Sequence, residues 1–577
     1  FFNRPKYKIA LSFHREILSL APTRLMVMPK VRLALAQTNP VVGDIGANTD
    51  AAFETVKAAA KNGAEMVLFG EMAITGYPIE DLAARESFVA AAAEIVTELA
   101  TRLEQAELGH IAVVIGHPAL VEKRKSHNWA LAQNCASVLL GGEVIGTYAK
   151  HHLPNYSVFD EYRIFVPGNE LLSFDFHGLK FSPLICEDIW QSGGPVAQLA
   201  TSNTDVVLVL NGSPFEIDKD DRRQALVREL ATSSDAAVAY VNLVGGQDDL
   251  VFDGDSLMMN ASGTLAGRAK QFEDDLVFFD IENKNQVSMV GEPRITKNDD
   301  REQIWNALVL GLRDYVEKNQ FKSVILGLSG GIDSAVCAAI ASDAIGAERV
   351  YGVSMPSRYS SEHSRSDADD SADRIGLHFR TEPIESMVKS FETQLGLDGV
   401  AAENLQARMR GVILMGLSNA EGHLTLTTGN KTELAVGYST IYGDSVGGFA
   451  PIKDVEKTLV WELAKWRNAF AMVNGETPPI PENSISKPPS AELRPEQTDQ
   501  DSLPEYELLD ELLDNYIEKR LGRDEIVALG FDAAVVDRII GLVDRAEWKR
   551  RQGAIGPKIT GMAFGRDRRL PITNRTH

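Results

Sequence analysis

The sequence predicts an α/β protein made of two successive units. From Val31 onward, short apolar runs alternate with helix-period segments, the pattern of strands covered by helices. Near 282–302 the text turns polar, and "SVILGLSGGIDSAVCAAIA" then reads as strand, glycine turn and helix, the opening of a second unit. The length, 577 residues, agrees, since domains run to roughly 100–200 residues each.

The elements follow in order. "VRLALAQ" is a buried strand, and 48–61 is helical. "EMVLFGE" is a strand and the alanine-rich 83–106 a helix. "IAVVIGHP" and "ASVLLGGEVIGTYAK" are strands, the second pair turning at Gly141-Gly142. "KFSPLICED", "DVVLVLNGSP" and "AVAYVNLVG" are strands, with 221–233 helical. Residues 286–302 read as a linker between a domain over 29–285 and one over 303–577, with residues 1–28 a non-domain extension. A helix over 303–319 opens the second domain, and "RVYGVSMPS" and "LTLTTGN" are further strands. The stretch 475–505 is rich in Pro, Ser and charge and reads as a tether or a lid.

Bulk composition excludes several classes. Three cysteines (Cys135, Cys186, Cys337) make no disulfide framework, so a reducing, cytoplasmic setting is expected. The formal charge of -23 disfavours nonspecific nucleic-acid binding. No apolar run reaches the ~18 residues of a membrane-spanning helix, so no membrane partner is expected.

Three reactive side chains fall at carboxyl ends of apolar strands, where open α/β sheets place sites: Glu71, Lys150 and Cys186. A thiol needs a base or a nearby cation to become a useful nucleophile. Glu71 could take its proton, and Lys150 could stabilise an oxyanion. Position alone leaves the bland reading open, in which Cys186 is a small core residue. The motifs "GEMAITGYP", "YAKHHLPNYSVFDEYRIF" and "LICEDIWQ", in that order, resemble the glutamine-hydrolysing branch of the nitrilase/amidase superfamily. That resemblance implies an α-β-β-α sandwich, with Glu71 as base, Lys150 as oxyanion stabiliser, Cys186 as nucleophile and Glu161 as the auxiliary glutamate. It also implies glutamine contacts at Tyr156, Ser213 and Lys219. Glu187 and Asp188 should point away from the sulfur, since adjacent carboxylates oppose thiolate formation.

The second constellation is "GLSGGIDS", from Gly327 through Leu328, Ser329, Gly330, Gly331, Ile332 and Asp333 to Ser334. It is not a Walker A loop, which ends in G-K-[ST]. Glycines before a helix N-terminus still let backbone amides approach an anion. The motif resembles the pyrophosphate loop of the N-type ATP pyrophosphatases, which implies a Rossmann-like parallel sheet and ATP as co-substrate. "GVSMPSRYSSEHSRSDA", "ENLQARMRG" and "TTGNKTELAVGYSTIYGDSVGGFAPI" are similar to NAD synthetases and, with the N-terminal half, to their glutamine-dependent branch. The resemblance implies that Thr428 contacts the adenine nucleotide and that Asn404, Glu433, Lys457 and Lys549 contact deamido-NAD or its phosphates. It implies Mg²⁺ shared by Asp333 and Glu433, an active-site lid over 484–510, and a homo-oligomer. Many ammonia-only relatives carry "GDGG" where this chain has "GDSVGG". The activity implied is amidation of deamido-NAD with nitrogen from glutamine, at the cost of ATP. The alternative is a stand-alone amidase with a nucleotide-binding regulatory half.

Overall fold

The computed structural model describes residues 31–121, 132–495 and 497–574. The expected extension over 1–28 lies outside the described residues. In the N-terminal half two sheets pack face to face. The first has seven strands, with Val31–Gln37 in its interior, parallel to the central strand Met66–Phe69 and antiparallel to Asp275–Asn283. The second has six, and Leu179–Ile185, Val206–Asn211 and Ala237–Asn242 run parallel within it.

Strand alternation assigns the faces. Val31, Leu33 and Leu35 point between the sheets, into a core shared with Val206–Leu210 side chains. Ala34 and Ala36 point outward, where the helices Ile45–Lys61 and Glu86–Gln105 cover them with Ala52, Val56, Val96 and Leu99. The small outward residues let the helices sit close. The helices Gly194–Ser202 and Lys219–Ser234 belong to the second sheet's side and complete an α-β-β-α sandwich.

The expected linker begins too early. Gln286–Met289 is a strand, paired antiparallel with Asp275–Asn283 at the edge of the seven-stranded sheet. The following helix starts at Asp300 rather than 303, because Asp299 caps it by accepting from the amides of Arg301 and Glu302.

The C-terminal half holds a four-stranded parallel sheet in the order His378–Thr381, Val350–Ser354, Val324–Gly327, Leu424–Leu426. Chain order reverses between the last two strands, and that crevice is where such sheets bind ligands. Part of the core of this half is shared. Phe215, Val244, Val251 and Phe272 of the N-terminal half pack with Trp305, Leu308, Val336 and Phe449 in one buried cluster.

Candidate active sites

In the N-terminal half, four strand ends converge. Glu71 follows Met66–Phe69, Lys150 follows Glu143–Ala149, Cys186 follows Leu179–Ile185, and Gly212 and Ser213 follow Val206–Asn211. The Lys150 ammonium lies 2.8 Å from Glu71 Oε1 and 2.9 Å from Glu161 Oε2, with all three side chains almost fully buried. Glu71 is held by three donors: Lys150, Asn134 Nδ2 at 2.6 Å and the Gly212 amide at 2.8 Å. Tyr77 Oη donates to Glu161 at 2.8 Å. Cys186 sits at φ 44°, in the left-handed region, at the start of a short 3-10 turn. That backbone is costly for a side-chain-bearing residue, on the order of 1–2 kcal/mol, and lifts the sulfur out of the strand line.

The charges decide the resting state. Burial and then Glu71 push the Cys186 thiol well up, while the Lys150 ammonium pulls it down. One ammonium against Glu71, Glu187 and Glu161 does not offset the burial, so the resting sulfur carries its proton. Burial also raises Glu161, to about 7, against the lowering effect of Lys150. Lys150 remains protonated: burial opposes its charge, but Glu161 and Glu71 raise its pKa well above the ordinary lysine value.

Neither neighbouring acid is free to meet the sulfur. Asp188 accepts from Tyr148 Oη and from the amides of Ile185, His151 and His152, tying the Cys186 turn to the segment after Lys150. Glu187 accepts from Tyr156 Oη at 2.8 Å and Gln191 Nε2 at 2.9 Å. Ser213 is buried, its amide donating to Asn242 Oδ1. Lys219 opens the helix Lys219–Ser234; burial and then Arg223 lower its pKa to about 8, while Glu216 and Cys186 raise it.

The second site is a cavity of about 660 Å³ at the reversal of strand order. Gly327, Leu328, Ser329, Gly331, Ile332, Asp333 and Ser334 line it from one strand end, and Thr427, Thr428 and Gly429 from the other. Ser334 Oγ donates to the Gly331 carbonyl and the Gly331 amide to Ser329 Oγ, which shapes the turn before the helix Ile332–Ile345. Lys457 Nζ bridges Asp333 Oδ2 and Glu433 Oε1, the latter at 3.2 Å. Asn430 Nδ2 holds the other oxygen of Asp333. Burial raises Glu433 to about 7, against the lowering effect of Lys457. Asp333 and Glu433 thus bring two carboxylates to one spot, hard oxygen donors of the kind that would hold a divalent ion.

Two expected contacts are not in the cavity wall. Asn404 accepts from Thr440 Oγ1 at 2.8 Å, and Lys549 Nζ donates to the carbonyls of Gly437 and Ser439. Each therefore supports the loop that carries Ser439 and Asp444, which do line the cavity. The stretch over 484–510 divides. Ser484 and residues 487–493 and 499 line the cavity, with Ser484 Oγ donating to the Gly330 carbonyl. From Leu503 on it is core instead: Leu503, Tyr506 and Leu509 are buried among the helices near the C-terminus.

Sequence reasoning missed Asn134, Tyr77 and Gly212. Tyr77 and Gly212 stand inside quoted stretches, but Asn134 looks like any strand polar residue until the register sets Cys135 opposite Ala149. It also missed Arg410, Asp444 and Lys487 of the cavity wall.

A buried Cys–Glu–Lys array and a phosphate-turn cavity on one chain define a two-site enzyme of carbon–nitrogen chemistry. Family models agree in both halves: carbon-nitrogen hydrolase matches residues 32–286, and NAD synthase matches 304–553. The glutamine-dependent NAD(+) synthetase of Acinetobacter baylyi is 47% identical over 560 residues, covering 95% of this chain and 99% of the relative. That of Thermotoga maritima is 41% identical, at 95% and 99% coverage. The solved glutamine-dependent NAD+ synthetase of Acinetobacter baumannii, in complex with adenosine diphosphate, has a TM-score of 0.73 at 45% identity, covering 94% of this chain and 98% of that one. The chain belongs to the glutamine-dependent NAD(+) synthetase family.

Proposed function

We propose that the protein converts deamido-NAD to NAD, using ATP and ammonia released from glutamine. The observation that carries this reading is the buried Glu71–Lys150–Glu161 array beside Cys186, in one folded body with the Gly327–Ser334 turn. Glu71 accepts the thiol proton as Cys186 Sγ attacks the glutamine amide carbon. Transfer accompanies attack, because the resting thiol is held protonated. The Lys150 ammonium stabilises the oxyanion. Glu71 returns the proton to the leaving ammonia, and water then releases glutamate from the thioester.

In the second site the nicotinate carboxylate of deamido-NAD attacks the α-phosphorus of ATP, and pyrophosphate leaves. Backbone amides and hydroxyls of the Ser329–Ser334 turn hold the phosphates, and Thr428 meets the adenine nucleotide. Asp333 and Glu433 would hold Mg²⁺, which supplies charge neutralisation on the leaving pyrophosphate. Ammonia then displaces AMP, giving the amide. Ser484, residues 487–493 and Asp499 line the cavity, and a wall there serves to exclude water from the reactive adenylate. Free ammonia, with an amine-like pKa of ~10, would be almost wholly protonated at pH 7, so a shielded passage between the sites serves the chemistry. Among the described residues no helix is long and apolar enough to cross a membrane. The reading includes a cytoplasmic setting and a homo-oligomer.

The test is direct. With deamido-NAD, ATP, Mg²⁺ and either glutamine or ammonium, NAD forms from both nitrogen sources. No NAD from either would end the reading.

A further inference from the structure

The loop that carries Lys219 is built by both halves of the chain. On its first side, Phe215 packs into the C-terminal core, and the Ile217 amide donates to the Ile559 carbonyl at 2.9 Å. On its other side stands Asp220, buried at 5% exposure. Its Oδ2 receives Lys297 Nζ at 2.8 Å and Gln303 Nε2 at 3.1 Å. The same Gln303 nitrogen donates its other hydrogen to the Asn298 carbonyl at 2.9 Å, so both of its protons are committed. Lys297 also reaches Asp221 Oδ1 at 2.8 Å. Lys297 lies in the segment between the halves, and Gln303 on the first helix of the C-terminal half, Asp300–Lys318.

These contacts fall one residue from Lys219. Among the described residues, its own ammonium carries no hydrogen bond or ion pair, and the helix it opens packs against the Cys186–Ile189 turn. Glu216, the nearby opposite charge, is engaged by Arg222, and a half-buried ammonium with no direct ion pair beside a nucleophile is suited to a substrate carboxylate. One turn further on, Arg223 pairs with Asp253 through two hydrogen bonds of 2.8 Å. That contact fixes the helix inside the N-terminal half; Asp220 fixes its first turn to the other half.

We propose that Lys297 and Gln303 are positioning residues for glutamine: acting through Asp220, they hold Lys219 where it receives the substrate's α-carboxylate. The inference rests on the glutamine reading given above. It explains why a segment that looked like a passive connector carries a lysine aimed at a buried acid. It also makes the glutamine site dependent on the half that consumes the ammonia.

The full-length chain tests this through KM for glutamine, with ammonium-driven NAD synthesis as the readout of an intact second site. Lys297→Met and Gln303→Met each remove one contact to Asp220. Each is expected to raise KM for glutamine by about tenfold, the scale of a lost charge-assisted hydrogen bond, with kcat for glutamine hydrolysis and ammonium-driven synthesis nearly unchanged. Lys297→Arg keeps the ion pair and should restore a wild-type KM. Equal loss of glutamine- and ammonium-driven activity would mean a merely structural contact and would overturn the proposal. An active wild type with KM unmoved in both variants would overturn it as well. A wild type inert toward glutamine would instead bring down the functional reading itself.

Discussion

Cys186 has a single task in this reading, and its removal separates the two chemistries. Cys186→Ala takes away the sulfur beside Glu71 and Lys150 without touching the 660 Å³ cavity. Glutamine-driven NAD synthesis should fall by roughly a thousandfold or more, the scale on which loss of a nucleophile acts. Ammonium-driven synthesis should stay within about twofold of wild type, since no interaction there is removed. Parallel loss of both would contradict the division of labour. Lys219 gives a second residue-level test. Its pKa, brought down by burial to about 8, sits below the ordinary lysine value. Below that pH it is an ammonium and can hold a carboxylate; above it the charge is lost. KM for glutamine should therefore be flat up to pH about 8 and then climb, approaching about tenfold per pH unit. Lys219→Arg keeps the charge at every accessible pH and should flatten the climb. A profile identical in wild type and Lys219→Arg would show that this lysine does not meet the substrate's charge. That Glu71, Lys150 and Cys186 come together was legible in sequence, because strand ends and motif order mark them. Asn134 and Gly212 were not, because their partner in space, Glu71, is 63 and 141 residues away.

The turn between Val324–Gly327 and Ile332–Ile345 is where an element's shape becomes chemistry. Gly330 has φ +80°, and a Cβ added there would lie 2.2 Å from the Ser364 carbonyl oxygen. Ser364 belongs to the helix Glu362–Ile375, which lines the cavity from the next strand. Gly330→Ala thus costs about 1–2 kcal/mol for the left-handed backbone alone, and the clash must also displace backbone. The expected outcome is loss of NAD synthesis from both nitrogen sources with glutamine hydrolysis preserved, read in parallel assays on one preparation. Retained synthesis would show that the turn tolerates reshaping and is not the phosphate cradle. The sequence marked this turn by its strand–glycine–helix order. It did not single out Gly330 over Gly331, because the carbonyl that forbids a side chain arrives from over thirty residues downstream. The same limit moved the boundaries elsewhere. Gln286–Met289 looked polar enough for a linker, yet an edge strand needs only alternate residues buried, and Val287 and Met289 supply them against the intersheet core. Leu503, Tyr506 and Leu509 looked like part of a lid because the preceding Pro- and Ser-rich run is continuous with them; their burial puts them in the core instead.

At the scale of the molecule, the two units predicted from the polar break are separate sheets on a partly common core. Periodicity tells which residues are apolar, but not which core receives them; Phe215 and Phe272 fall inside the 29–285 unit. In the folded chain they stack edge to face at 5.5 Å and join Trp305, Leu308 and Val336. Arg32–Asp280 and Arg223–Asp253 tie the N-terminal half internally, while Asn39 and the Gly246 amide both reach Asp314 on the first C-terminal helix. Halves joined by buried side chains should not melt independently, since exposing one face strips the other of its contacts. Phe272→Ala removes a large buried ring from that junction and should cost about 3–5 kcal/mol. Differential scanning calorimetry of the full chain is expected to show one main transition that moves down as a whole in the variant. Loss of glutamine hydrolysis and loss of ammonium-driven synthesis should track that single transition on heating. Two resolved transitions, with Phe272→Ala shifting only the one that abolishes glutamine hydrolysis, would mean that the halves fold as independent bodies and that the shared cluster is a soft contact between them.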